Sequence, residues 1–263
     1  GAAVAAVVGF VLFVRRQRRM SEPLLEFSIF RNKAFTGGVL AAAFAMFTIA
    51  GAQLITTQRF QLVEGFSPLQ AGLLVAAIAL GALPSGLLGA AFLDTLGLRL
   101  IISGGLGVGA LGLLLSITAV ATDTFALLVA GFVVTGLGLG GAFSVASSAI
   151  MGNAHPRKAG MAASVEEVSY EMGSLSAVAV LGSLLTFVYA FTVQLPNGSP
   201  DAARESLADA LAVADGNSEV IAAANTAFDT AYLVTMIVLG VVLAVGAGVT
   251  NRLLRAYGRN SQA

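Results

Sequence analysis

The sequence contains no cysteine and no tryptophan, a single histidine and few charges. Without cysteine there is no disulfide and no thiolate metal ligand, and one histidine does not make a metal site. Without tryptophan, anchoring at a membrane surface falls to tyrosine and, less well, to phenylalanine. Charged residues make up 11% of the chain, where soluble domains carry about 25%. So few charges cannot cover a water-facing surface, and lipid is the expected solvent. The formal net charge is zero, so nothing points to nucleic acid as a partner. No phosphate loop, zinc spacing or nucleophile–base pair stands in the sequence, so neither an enzyme nor a cofactor is expected.

What is abundant is apolar length: 57% of the residues are hydrophobic. A bilayer core takes about 20 apolar residues per helix. Six stretches qualify, at 35–58, 69–93, 100–120, 125–151, 160–191 and 228–250. The run 1–14 is also apolar and is followed by Arg15, Arg16, Arg18 and Arg19. A signal peptide carries its charge before the apolar stretch, so this run reads as the end of a truncated membrane helix with further helices upstream. Putting that arginine cluster in the cytoplasm puts Arg31, Lys33, Arg99, Arg157, Lys158, Arg252, Arg255 and Arg259 there too. Of 14 basic residues only Arg59 and Arg204 then lie outside, the asymmetry of the positive-inside rule. The resulting map is a cytoplasmic linker at 15–34, a six-helix unit at 35–250, an external loop at 192–227 and a cytoplasmic tail at 251–263.

Local signals refine the loops. The linker segment "SEPLLEFSIFRNKAF" predicts a short amphipathic surface helix with Leu24, Leu25, Phe27 and Phe30 in the interface. In the external loop, Ser199, Pro200 and Asp201 predict a helix start, Gly216 a stop, and Ser218 a cap for the last helix. This loop is acidic and reads either as a solvated cap or as a lid that steers cations. Asp123 is expected to cap the helix from Phe125, and Asp229 to lie near the outer end of the last span. Many of the 31 glycines sit inside spans, Gly105, Gly109, Gly136, Gly138, Gly140 and Gly141 among them. In lipid, helices associate through close backbone approach, which small residues permit. Pro84 predicts a kink. Six spans divide into three plus three, with the first and fourth running in opposite directions, so the units form inverted repeats.

The segment "GMAASVEEVSYEMGSLSAVAVLGSLL" carries the chemistry. With a helix beginning near Gly160, Glu171 lies about 16 Å deep at 1.5 Å per residue, close to the bilayer centre. An ionised carboxylate there costs on the order of 3 kcal/mol unless it lines a wet cavity. Glu166, Glu167 and Glu171 have no basic residue at matching depth in this sequence. Glu167 and Glu171 share one face, and Glu166 and Tyr170 the next. Burial and mutual repulsion favour the protonated carboxyl. Such a group takes up a proton, or holds an organic cation once the proton leaves; the other reading is a pair with a basic residue in the missing half. Other polar and aromatic positions have two readings. Gln53 is either a cavity amide or an interhelical hydrogen bond. Phe44 and Phe47 are either cation–π partners or core and lipid contacts. Asp94 and Arg99 are either a gate or a structural pair.

The pattern "SVEEVSYEMGSLSAVAVLGSLL" resembles the penultimate helix of the fourteen-helix drug:proton antiporters of the major facilitator superfamily, of QacA-, SmvA- and LfrA-type. "PLLEFSIFRNKAFTGG", "QLVEGFSPLQAG", "LGLRL" and "QLPNGS" resemble the same family. The resemblance implies an all-α membrane protein, the C-terminal six-helix bundle of a major facilitator transporter in two inverted three-helix repeats. It implies export of lipophilic or quaternary ammonium cations in exchange for protons, with Glu166, Glu167 and Glu171 in cation recognition and proton coupling. It further implies a bacterial inner-membrane location, membrane lipid and the N-terminal half as partners, and a cytoplasmic C-terminus. "LDTLGLR" resembles the superfamily's cytoplasmic gate motif: Asp94 and Gly97 fit, while Leu98 stands where a basic residue is usual. Export of a metabolite or lipid on the same fold, and a non-transporting scaffold, remain as alternatives.

Overall fold

A computed structural model describes residues 2–17 and 26–258. Eight α-helices stand among the described residues: α1 (Ala2–Gln17), α2 (Lys33–Leu62), α3 (Pro68–Ala91), α4 (Leu93–Ala121), α5 (Phe125–Gly152), α6 (Ala159–Thr192), α7 (Leu207–Val213) and α8 (Ser218–Leu253). Six of them, α2 to α6 and α8, are long and apolar enough to cross a membrane, so the chain is a multi-pass membrane protein.

Helix starts follow capping chemistry. Asn32 Oδ1 accepts from Ala34 N at 2.9 Å and from Phe35 N at 3.2 Å to open α2. Ser67 and Gln70 form a reciprocal capping box ahead of Pro68, with bonds of 2.8 and 3.3 Å, and so satisfy amides that a helix start leaves free. α3 continues through Pro84.

The packing pairs each three-helix unit with the other. The first helix of one unit lies on the second helix of its counterpart: α2 on α6, and α5 on α3. The third helices, α4 and α8, meet each other. This reciprocity is what inverted repeats produce. Glycine makes the seams close. A Cβ on Gly136 or Gly140 of α5 would strike the backbone carbonyls of Ile78 or Ala82 in α3, and one on Gly138 the backbone of Gly105 and Gly109 in α4.

Several boundary expectations are corrected. Thr124, not Asp123, holds the position before α5, and Asp123 sits in the left-handed region at φ 49°. Asn217, not Ser218, caps α8 by accepting from Glu219 N at 3.0 Å and Val220 N at 3.4 Å. The helix expected at Pro200 is only a 3-10 turn, Asp201–Arg204; α7 follows under a Ser206 cap. Phe30 is half-buried, and its ring meets Phe35 edge-on at 5.5 Å. The segment Phe27–Arg31 is a 3-10 turn, because Ile29 and Phe30 are drawn onto Phe35, Ile150 and Ala162. Leu24 and Leu25 lie outside the described residues.

The loop between α6 and α8 is docked. Ala203, Leu207, Ala210 and Ala214 are buried, and the buried Tyr189 donates its hydroxyl to the Ala203 carbonyl at 2.9 Å. Tyr189→Phe removes this donor and leaves a buried carbonyl unpaired, at a cost of about 1–3 kcal/mol. The expected outcome is faster protease cleavage between 194 and 217 with the transmembrane helices intact, read by limited proteolysis of the detergent-solubilised protein.

Candidate functional site: an acidic strip beside an apolar cavity

α6 buries one stripe, Ala162, Ser169, Gly173, Ala177, Leu181, Leu185 and Tyr189, a spacing that keeps to one side of a helix. Gly173 presses on the Ala43 carbonyl of α2. The three glutamates do not point into this seam. Glu167 and Glu171 are exposed, as are Val168, Met172 and Leu175. Glu166 is half-buried, and its Oε1 accepts the hydroxyl hydrogen of Tyr170. Among the described residues no Lys or Arg forms an ion pair with any of the three.

Tyr170 ties the strip to α5. Its ring stacks on Phe143 with centroids 4.7 Å apart and planes 20° apart. Phe143 in turn lines a cavity of about 430 Å³ between α2, α3 and α5, with Met46, Ile49, Leu83 and Leu87. The site is therefore an apolar hollow, a stacked aromatic pair and a carboxylate in succession. Phe143 was not among the residues singled out from the sequence. Its signal was there: one large ring in the small-residue stretch "GLGGAFSVASS" of α5.

The other candidates scatter. Gln53 is exposed on α2. Phe47 is half-buried against the core. Phe44 fills the seam with α8, where a Cβ on Gly246 would lie 2.7 Å from its ring. The α2 residues that reach the cavity are Met46 and Ile49 instead.

At the end of the bundle that carries Lys33, Arg99, Arg157 and Arg252, Gly97 takes φ 77° and ψ 159° inside α4. Only glycine accepts that region readily. Asp94 and Arg99 do not form the structural pair that was one reading of them. Asp94 is exposed, whereas Arg99 Nε donates to Asn251 Oδ1 at 2.7 Å and its amide to the Tyr257 carbonyl at 3.0 Å. The break at Gly97 thus turns Arg99 toward the end of α8. At the same end, Glu26 pairs with Lys158 and Asn32 Nδ2 donates to Asn153 Oδ1 at 2.9 Å, which fastens the linker to the α5–α6 turn.

The opposite end holds a cluster that no sequence motif announced. Arg59 is 8% exposed. It pairs with Asp229 at 2.8 Å and Glu64 at 3.3 Å. Its guanidinium carbon lies 5.0 Å from the centre of the Phe60 ring and 5.4 Å from that of Tyr232. The buried Tyr232 hydroxyl is 3.3 Å from Thr56 Oγ1. Asp229, expected only to be near an outer end, is thereby an anchor between α8 and α2.

Six helices long and apolar enough to cross a membrane, packed as two interlocked triplets, form a polytopic membrane bundle. The profile of the Major Facilitator Superfamily matches residues 1–178, and the chain belongs to that superfamily. It is 33% identical over 262 residues to the multidrug efflux pump LfrA of Mycolicibacterium smegmatis, covering 93% of this chain and 52% of LfrA. Against the methyl viologen resistance protein SmvA of Salmonella typhimurium it is 31% identical over 194 residues, 71% of this chain and 38% of SmvA. Among solved structures, it is similar to a bacterial homologue of the human lysosomal transporter Spinster in an inward-facing, occupied conformation. That likeness has a TM-score of 0.64 at 17% identity and covers 88% of this chain and 52% of the other; it establishes the fold alone. The chain spans about half the length of LfrA.

Removing Arg59 strands two carboxylates. Both are partly solvated, so the expected loss for Arg59→Ala is about 2 kcal/mol, below that of a fully buried pair. Arg59→Lys keeps the charge but loses the planar contact with the two rings. A thermal-unfolding series in detergent should rank wild type above Arg59→Lys and Arg59→Lys above Arg59→Ala.

Proposed function

We propose that this chain is the C-terminal half of a proton-coupled multidrug efflux antiporter that exports lipophilic and quaternary ammonium cations. The observation that carries this reading is the strip Glu166, Glu167 and Glu171, unpaired with any cation among the described residues and set beside an apolar cavity. The names of the relatives LfrA and SmvA, an efflux pump and a methyl viologen resistance protein, support it.

The chemistry is a competition for one set of carboxylates. In a low-dielectric setting a neutral carboxyl is stable and a bare carboxylate is not. A lipophilic cation brings its own apolar body and its own positive charge. It occupies the apolar cavity and satisfies a carboxylate that has given up its proton. Proton and cation then exclude each other, and the exclusion links their fluxes once the site opens alternately to the two sides. The uncovered face of α6 would meet the N-terminal half in the full protein, and the site would lie between the halves. Residues 35–250 form the transporter half, with 1–14 the end of an earlier span, 15–34 a cytoplasmic linker and 251–263 a cytoplasmic tail. The basic end faces the cytoplasm of a bacterial inner membrane, and the docked acidic loop, 192–227, faces out.

In the full-length pump reconstituted into liposomes, Glu167→Gln and Glu171→Gln should each lower substrate-induced proton release by about tenfold or more. Undiminished release in both variants defeats the antiport reading. A wild-type protein that moves no ethidium but acidifies the medium with a cell-derived metabolite favours the alternative exporter, and one that moves no proton with any solute is a scaffold.

Orientation has its own check. This chain has no cysteine, so single cysteines placed in it report sidedness once any cysteine elsewhere in the full-length pump is replaced. Ala208→Cys in the docked loop should react with an impermeant maleimide in intact cells, whereas Arg157→Cys should react only after permeabilisation.

A further inference from the structure

Phe143 stands where two parts of the site meet. One face of its ring covers Tyr170 at 4.7 Å. The same side chain walls the cavity of about 430 Å³ and is the one aromatic among its lining residues. Beyond Tyr170 lies Glu166, which accepts the phenol hydrogen. Two stacked rings therefore separate the apolar hollow from the carboxylate.

The backbones behind these rings are held. Gly140, one turn before Phe143, abuts the Ala82 carbonyl of α3, and Gly173, one turn after Tyr170, abuts the Ala43 carbonyl of α2.

We propose that Phe143 determines which lipophilic cations the site selects, by offering its ring to planar aromatic cations and by dividing the cavity from Glu166. This rests on the efflux reading above and names the residue that sets substrate preference within it. The other large side chains lining the cavity carry no ring: Met46, Ile49, Leu83, Leu87 and Leu139, with Ser144 the one hydroxyl among them. They attract any apolar group without regard to its shape. An aromatic ring adds stacking and a negative quadrupole face, which favour a flat delocalised cation. A compact tetraalkylammonium can also meet the ring through cation–π attraction, but it has no flat π surface and so gains nothing from stacking. Phe143 thus discriminates by the electronic character of the substrate, while the carboxylates discriminate by charge alone.

The test uses the full-length pump in liposomes with two probes, ethidium as the planar aromatic cation and tetrapropylammonium as the aliphatic one. Phe143→Leu keeps an apolar side chain of comparable bulk and deletes the ring, so folding is preserved where Phe143→Ala could fail. The ratio of kcat/KM for ethidium to that for tetrapropylammonium should fall about five- to tenfold in Phe143→Leu, the size of one aromatic stacking contact. The change should lie in KM, and Phe143→Tyr should restore the ratio. If the wild type transports both probes and Phe143→Leu leaves their ratio unaltered, the selector role is wrong and the efflux reading survives. If Phe143→Tyr behaves as Phe143→Leu does, the ring face is not the determinant and the proposal also falls. A wild type that transports neither probe removes both the efflux reading and this inference.

Discussion

Along α5, Gly136 and Gly140 lie against the carbonyls of Ile78 and Ala82, while Gly138 lies against Gly105 and Gly109. Lipid tails are as apolar as leucine, so burying leucine gains little between membrane helices. Association depends on how closely backbones can approach. A side chain at any of these glycines would push α3 or α4 outward and open the seam. With the seams closed, α5 becomes the fixed post from which Phe143 projects toward α6. The cavity, the stacked pair and the placement of Glu166 all follow from that proximity.

The two ends of the bundle are tied by different chemistry. At one end a buried arginine joins α2 to α8 through Asp229 and takes Glu64 from the following turn. Two partly solvated acids on one cation hold well because Phe60 and Tyr232 exclude water from it. At the other end the ties are mixed: Asn32 to Asn153, Arg99 to Asn251 and the ion pair of Glu26 with Lys158. The acidic strip on α6 lies between these ties. Among the described residues its carboxylates have no Lys or Arg partner.

Much of the fold was legible in the sequence because lipid imposes a simple rule. Every span must be a helix of sufficient apolar length, so hydropathy placed all six within a few residues at most ends. The starts of α4 and α8 were the exceptions. α4 begins at Leu93, not near Leu100, ahead of the break at Gly97. α8 begins at Ser218, not near Phe228, because the stretch after Asn217 is amphipathic and packs Val220 and Ala224 inward. The acidic residues of α6 were visible because three carboxylates stand out in an otherwise apolar stretch.

Composition and order along the chain thus determined the solvent, the number of spans and the helix that carries the carboxylates, since each depends on residues near one another in sequence. Tertiary structure alone decided that Phe44 packs against Gly246 while Phe143 walls the cavity, that Arg59 is anchored by Asp229, and that Arg99 turns from Asp94 to Asn251. Those outcomes depend on which helix faces meet. Helices apolar on all sides carry no stripe that reveals their facing partner, so only the assembled bundle could select it.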